Sequence, residues 1–165
     1  MDYKNLRLLV TENCNRNCPG CCNKDWNLKS LPVVRDYTGY RLIMLTGGEP
    51  FTVPFVLKSV ISDIRKVTDT PIVIYTAMMH KIALFHELLS FIDGVTLTIH
   101  EPEDIPDFMR LCDSLTPAMV AYKSMRLNIF KGCDPPSIPS YWKVRADMEW
   151  MKDCPLPENE VFMQL

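Results

Sequence analysis

Between Leu6 and Phe130, short apolar runs rich in β-branched residues alternate with stretches whose apolar residues return at helical spacing. Leu6–Val10, Arg41–Leu45, Ile72–Thr76, Val95–Ile99 and Met125–Phe130 read as strands. Val53–Val67 reads as a helix with Val56, Val60, Ile64 and Val67 on one face. Lys81–Ile92 reads as a second, with Ile82, Phe85, Leu88 and Leu89 together. Asp104 caps a third over Ile105–Ser114. This alternation specifies parallel β/α units, because two parallel strands need a long crossover between them. Buried parallel strands are near-continuously apolar, as Leu42-Ile43-Met44-Leu45 is.

A closed β/α barrel takes about 250 residues, and the chain has 165. The pattern therefore predicts an α/β fold, an incomplete parallel β/α barrel of about five or six strands, open along one side. After Lys131 the alternation weakens. Trp142, Val144, Ala146, Met148 and Trp150 recur at every second position and mark a final strand. The chain reads as one domain, residues 1–165, with its core at about 5–130 and an extension over 131–165. The stretch Tyr141-Trp142-Lys143-Val144-Arg145 sets aromatics beside cations. It suits a partner surface or, as the preferred reading, a cover for the open barrel edge, since a bare sheet edge invites aggregation.

Charge narrows the function classes. The net charge is −2, which gives no electrostatic footprint for nucleic acid or an anionic membrane. No apolar run approaches the ~18 residues of a bilayer span, and Met1–Asn5 lacks the start of a signal peptide. A cytoplasmic location with reduced thiols is the expectation.

Seven cysteines are present, an odd number that cannot all pair within the chain. Cys14, Cys18, Cys21 and Cys22 crowd together, and the first three form a CxxxCxxC loop directly after the first predicted strand. Short spacing brings three thiolates to one cluster, each on a separate iron. A four-iron cube then keeps one iron open for a ligand. Structural zinc on Cys14, Cys18, Cys21 and Cys22 is the bland alternative, but adjacent Cys21 and Cys22 converge poorly on one ion. Cys22 reads as an incidental thiol. Cys112, Cys133 and Cys154 lie far apart and read as buried thiols.

A second motif, Thr46-Gly47-Gly48-Glu49-Pro50, ends the second predicted strand. Glycine permits close backbone approach, and the Glu49 carboxylate can pair with an ammonium. Together, the two motifs resemble those of the radical S-adenosylmethionine (SAM) superfamily. The resemblance implies a radical SAM core in which Cys14, Cys18 and Cys21 bind a [4Fe–4S] cluster and Gly47, Gly48, Glu49 and Pro50 bind SAM. It implies reductive cleavage of SAM to a 5′-deoxyadenosyl radical that abstracts hydrogen. It also implies an electron donor such as flavodoxin or ferredoxin. Thr76 and Asn128, at strand ends, are candidates for the SAM ribose or carboxylate. His100 is the candidate for substrate contact or proton movement. Glu101, Glu103 and Asp104 read as a solvated turn and helix cap.

Many superfamily members carry an aromatic residue before the third cysteine, where this chain has Gly20. Trp26 either replaces it near the cofactor or packs the loop onto the barrel. Cys18-Pro19-Gly20-Cys21, followed by Trp26, resembles the activating enzymes of anaerobic ribonucleotide reductases, whose substrate is a large glycyl radical protein. Their Gly-x-Arg and Ser-x-Asn-Gln elements are absent. Two alternatives therefore stay open: a small-molecule enzyme resembling 7-carboxy-7-deazaguanine synthases, and a non-enzymatic iron–sulfur or zinc binding module.

Overall fold

The computed structural model describes residues 3–165. Seven strands form a single all-parallel sheet in the order β6-β5-β4-β3-β2-β1-β7. In chain order these are β1 (Asn5–Leu9), β2 (Leu42–Thr46), β3 (Ile72–Thr76), β4 (Gly94–Ile99), β5 (Ser124–Phe130), β6 (Lys143–Met148) and β7 (Glu160–Gln164). Helix α1 (Pro54–Val67) joins β2 to β3, and α2 (Ile82–Leu89) joins β3 to β4. Helices α3 (Ile105–Ser114) and α4 (Pro117–Val120) join β4 to β5. The α/β class and the parallel sheet therefore follow the expectation, while the strand count exceeds it. Among the described residues no helix is long and apolar enough to cross a membrane.

The five inner strands lie within about one residue of their predicted bounds, because each is a short, mainly apolar run bounded by turn or loop residues. Leu6, Leu8, Ile43, Leu45, Ile72, Ile74, Leu97 and Leu127 are fully buried. On α1 the buried face is Leu57, Val60, Ile61 and Ile64, whereas Val56 and Val67 are exposed. The predicted face was rotated by about one position, because Leu57 and Ile61 extend the same stripe at i and i+4.

Residues 131–165 do not form a separate layer. They add β6 beside β5 and β7 beside β1, one strand at each edge of the sheet. β6 exposes Val144 and Ala146, and only Trp142, just before it, is buried, against Phe108. Its period-two pattern therefore marks an edge strand, not a half-buried one. β7 has only Val161, Phe162 and Met163 as an apolar run, too short a signal for sequence pattern to separate from loop.

Parallel strands put all their C-terminal ends on one edge of the sheet. The loops after β1, β2, β3 and β4 emerge there together, and these loops carry the cysteines, the Gly-Gly-Glu turn, Thr76 and His100.

Candidate functional site

The register Leu9↔Thr46 sets the cysteine loop directly beside the Gly-Gly-Glu turn. Gly48 N–H donates to Thr11 O at 2.8 Å, and Glu49 N–H donates to Asn13 O at 2.7 Å. These two bonds continue the β1–β2 ladder one turn past the sheet. They require glycine, because a Cβ on Gly47 would stand 2.5 Å from Thr11 O, and one on Gly48 would stand 2.6 Å from Glu12 O. The Asn23 side-chain amide donates to Gly47 O at 2.8 Å, closing the turn from the far side of the cysteines.

Glu49 is 4% exposed. Its Oε1 accepts from Phe51 N–H at 3.0 Å and Thr76 Oγ1 at 2.6 Å, and its Oε2 accepts from Ala77 N–H at 2.9 Å. Burial pushes its pKa up, against these three hydrogen bonds and the more distant Arg16, which pull it down. Among the described residues Glu49 makes no ion pair. A buried carboxyl held in this way is suited to an incoming cation, which would favour its charged form. Thr76 thus orients Glu49, and its Oγ1 also accepts from Met78 N–H at 3.0 Å.

Cys14, Cys18 and Cys21 line one pocket with Gly47, Gly48, Glu49, Pro50, Thr76 and His100. All three carry free thiols, Cys14 exposed and the other two half-buried. The Arg16 N–H donates to Cys14 Sγ at 3.4 Å. Burial raises the Cys18 pKa, with Cys21 and Cys14 adding to the rise and Arg16 opposing it. Metal binding here would release protons, since thiolate is the ligand. Among the described residues, no group of three or more His, Cys, Asp or Glu side chains is gathered as for one metal ion. A cubane takes each cysteine on a different iron, so its ligands ring a volume and need not meet at a point. Three free thiols on one short loop, beside a buried carboxyl without a cation, match that donor set.

Asn128 is not among the residues lining the pocket. It sits on β5 opposite Thr98, which does line it. His100 stacks on Trp150 with ring centroids 5.4 Å apart and planes 13° apart, and it lies 5.1 Å from Phe130. Burial lowers its pKa, helped by Arg16 and opposed by Asp104, so the ring is neutral near pH 7. Its Nδ1 is buried and has no hydrogen-bond partner.

Asp104, Cys22 and Cys154 depart from their expected roles, and Trp26 takes one of its two. Asp104 stands at the N-cap position of α3, but its side chain makes no capping hydrogen bond to that helix, and it is buried, not solvated. It accepts from His100 N–H at 2.9 Å and pairs with both guanidinium nitrogens of Arg16. That pair ties the cysteine loop to the β4–α3 turn, a link of sequence separation 88 that no local pattern announces. Trp26 packs on Phe162, with centroids 4.6 Å apart, and donates its indole N–H to Cys154 O at 2.9 Å. Of its two readings, packing of the loop onto the sheet is the one that holds. Cys22 and Cys154 are disulfide-bonded, which corrects the expectation of reduced, incidental thiols at both positions. Cys112 is a buried thiol as expected, and Cys133 is half-buried.

Trp150, like Arg16, is a pocket residue that the sequence did not single out. Its ring lies on Gly20 so closely that a Cβ there would stand 2.5 Å from Trp150 Cβ. The absent side chain at position 20 was the available signal. A larger cavity of about 510 Å³ lies between α1 and α2, walled by Lys58, Arg65, Glu87 and Phe91. It holds no thiol and none of the predicted site residues. No protein-family model matches the chain, and no curated protein matches it.

Proposed function

We propose that the chain is a radical SAM enzyme in which Cys14, Cys18 and Cys21 hold a [4Fe–4S] cluster and the Gly47–Pro50 turn holds SAM. The observation that carries this reading is the meeting of two motifs, separated in sequence by residues 22–46, in one pocket at the C-terminal edge of a parallel sheet. Bound there, the cluster would supply the single electron that splits a carbon–sulfur bond of SAM to give methionine and a 5′-deoxyadenosyl radical.

The chain's own residues bind and orient. Glu49, buried and lacking an internal cation, favours an ammonium beside it, and SAM carries one. Thr76 and the Ala77 N–H fix the carboxyl so that little reorganisation accompanies binding. Gly47 and Gly48 let the ligand approach the backbone. His100, with its buried Nδ1 unpartnered, is free to form a hydrogen bond at that atom, as donor or acceptor according to its tautomer. The electron comes from a separate donor, such as a flavodoxin or ferredoxin. A large glycyl radical protein is the first candidate hydrogen donor, on the likeness of Cys18–Cys21 and Trp26. A deazaguanine-type small molecule is the second.

The test is anaerobic loading with iron and sulfide, then SAM and dithionite, with 5′-deoxyadenosine measured by chromatography. Each of Cys14→Ala, Cys18→Ala and Cys21→Ala is expected to reduce the yield to background. An iron-loaded chain that binds SAM but forms no 5′-deoxyadenosine would refute the proposal. Full yield from any of the three variants would remove that residue from the ligand set. Adding each candidate substrate separately, and following loss of deuterium label from it, distinguishes the two hydrogen donors.

A further inference from the structure

Residues 149–159 run from the end of β6 to the start of β7, which lie at opposite edges of the sheet. This strap carries both Trp150 and Cys154. Trp150, 39% exposed, stacks on His100, touches Phe130 with centroids 4.5 Å apart, and packs against Gly20. It therefore forms one wall of the three-cysteine pocket. Cys154 bonds to Cys22, the residue next to Cys21, and its carbonyl accepts the Trp26 indole N–H.

Two further observations bear on the strap. Asp153 and Cys154 have φ of 63° and 32°, a left-handed backbone that non-glycine residues keep only where the surroundings impose it. The pocket that Trp150 helps to line is about 150 Å³, whereas a site for a nucleoside-sized ligand takes about 300 Å³ or more. Moving Trp150 aside would widen it.

We propose that residues 149–155 are a thiol-operated lid over the three-cysteine pocket. Trp150 seats it, the Cys22–Cys154 disulfide latches it, and reduction of that bond by a dithiol opens the site. Cys22 is half-buried and Cys154 is buried, so Cys22 sulfur is the one a reductant reaches. A reductant thiolate attacks it and expels Cys154 as thiolate, which takes up a proton. The reductant's second thiol then displaces Cys22 and leaves as a disulfide. Two electrons and two protons pass to the chain, giving two thiols. The same reducing conditions that a low-potential cluster requires would thus uncover its pocket. The lid rests on the reading of this pocket as a ligand site, but its test does not depend on any reaction there.

The full chain, purified without added metal, is incubated in anaerobic buffer without or with dithiothreitol and then desalted, the untreated sample serving as the oxidised one. Peptide mass spectrometry reports the Cys22–Cys154 linkage. Acrylamide quenching reports exposure of Trp150, isolated by difference from Trp150→Phe. N-ethylmaleimide labelling reports access to Cys18 and Cys21. Reduction is expected to raise the Trp150 quenching constant roughly twofold and the labelling rates about threefold or more. The Cys22→Ser/Cys154→Ser chain should show the raised values in both buffers. Equal values in the two buffers overturn the lid, as does an oxidised sample without the Cys22–Cys154 peptide. The wild-type chain is its own comparison, so a folding defect in the double variant leaves the test intact. A chain that opens on reduction yet never cleaves SAM keeps the lid and loses the proposed reaction.

Discussion

Replacing Gly48 by alanine should separate the cysteine loop from the strand that anchors it. The added Cβ would overlap the Asn13 carbonyl and stand 2.6 Å from Glu12 O, both backbone groups that cannot rotate away. Relief requires the two chain segments to part. The bonds from Gly48 N–H to Thr11 O and from Glu49 N–H to Asn13 O then lengthen. Each is worth about 1 kcal/mol net, and the overlap itself adds about 1–3 kcal/mol. A smaller unfolded-state gain for Gly→Ala, about 0.4–1 kcal/mol, offsets part of this. The expected loss is about 2–4 kcal/mol, or roughly 5–12 °C in Tm for a domain of this size. Urea unfolding of the metal-free chain measures it. Gly132→Ala is the control: nothing lies within 4 Å of its Cβ, but its φ is 89°. That variant should lose about 1–2 kcal/mol and leave iron loading unchanged, whereas Gly48→Ala should lose iron as well. An unfolding midpoint for Gly48→Ala indistinguishable from wild type would show that the loop and turn are not in contact as described.

Two other perturbations probe the site's electrostatics. Burial raises the folded pKa of Glu49 above its ordinary 4.5, so between those values the folded chain holds a proton that the unfolded chain has released. Its contribution to stability is therefore complete below pH 4.5 and is lost as pH rises through the folded value. Urea midpoints from pH 4 upward should thus fall for wild type relative to Glu49→Gln, and a relative rise would contradict the reasoning. Arg16→Met leaves buried Asp104 without its cation, though still holding the His100 and Glu101 N–H groups. A loss of about 3 kcal/mol is expected, with faster maleimide labelling of Cys18. A change below about 0.5 kcal/mol would mean that the pair does not tie down the loop.

Sequence pattern reached the inner fold because a buried parallel strand writes its own signature. Ile72–Thr76 and Ile105–Ser114 occupy their predicted bounds, the first flanked by Pro71 and the second preceded by Asp104. Register was also implicit: once β1 and β2 pair in parallel, motifs at their C-terminal ends must meet, and Cys14 and Glu49 do. The edges left weaker traces. A strand with one buried residue, such as β7 with Phe162, has no period to detect. β6 carried a period that its exposure does not use.

The sequence by itself determined the five inner strands, the helices α1 to α3 and which chemistry each loop carries, because periodicity, turn residues and clustered thiols are properties of neighbours along the chain. Only the tertiary structure decided that β7 returns to β1, that Arg16 meets Asp104, and that Trp150 covers Gly20. It also decided that Cys154 reaches Cys22 across a separation of 132. Such contacts join distant residues whose encounter depends on strand order and on the path of a strap. Both are settled by packing the whole chain at once, and no local spacing encodes either.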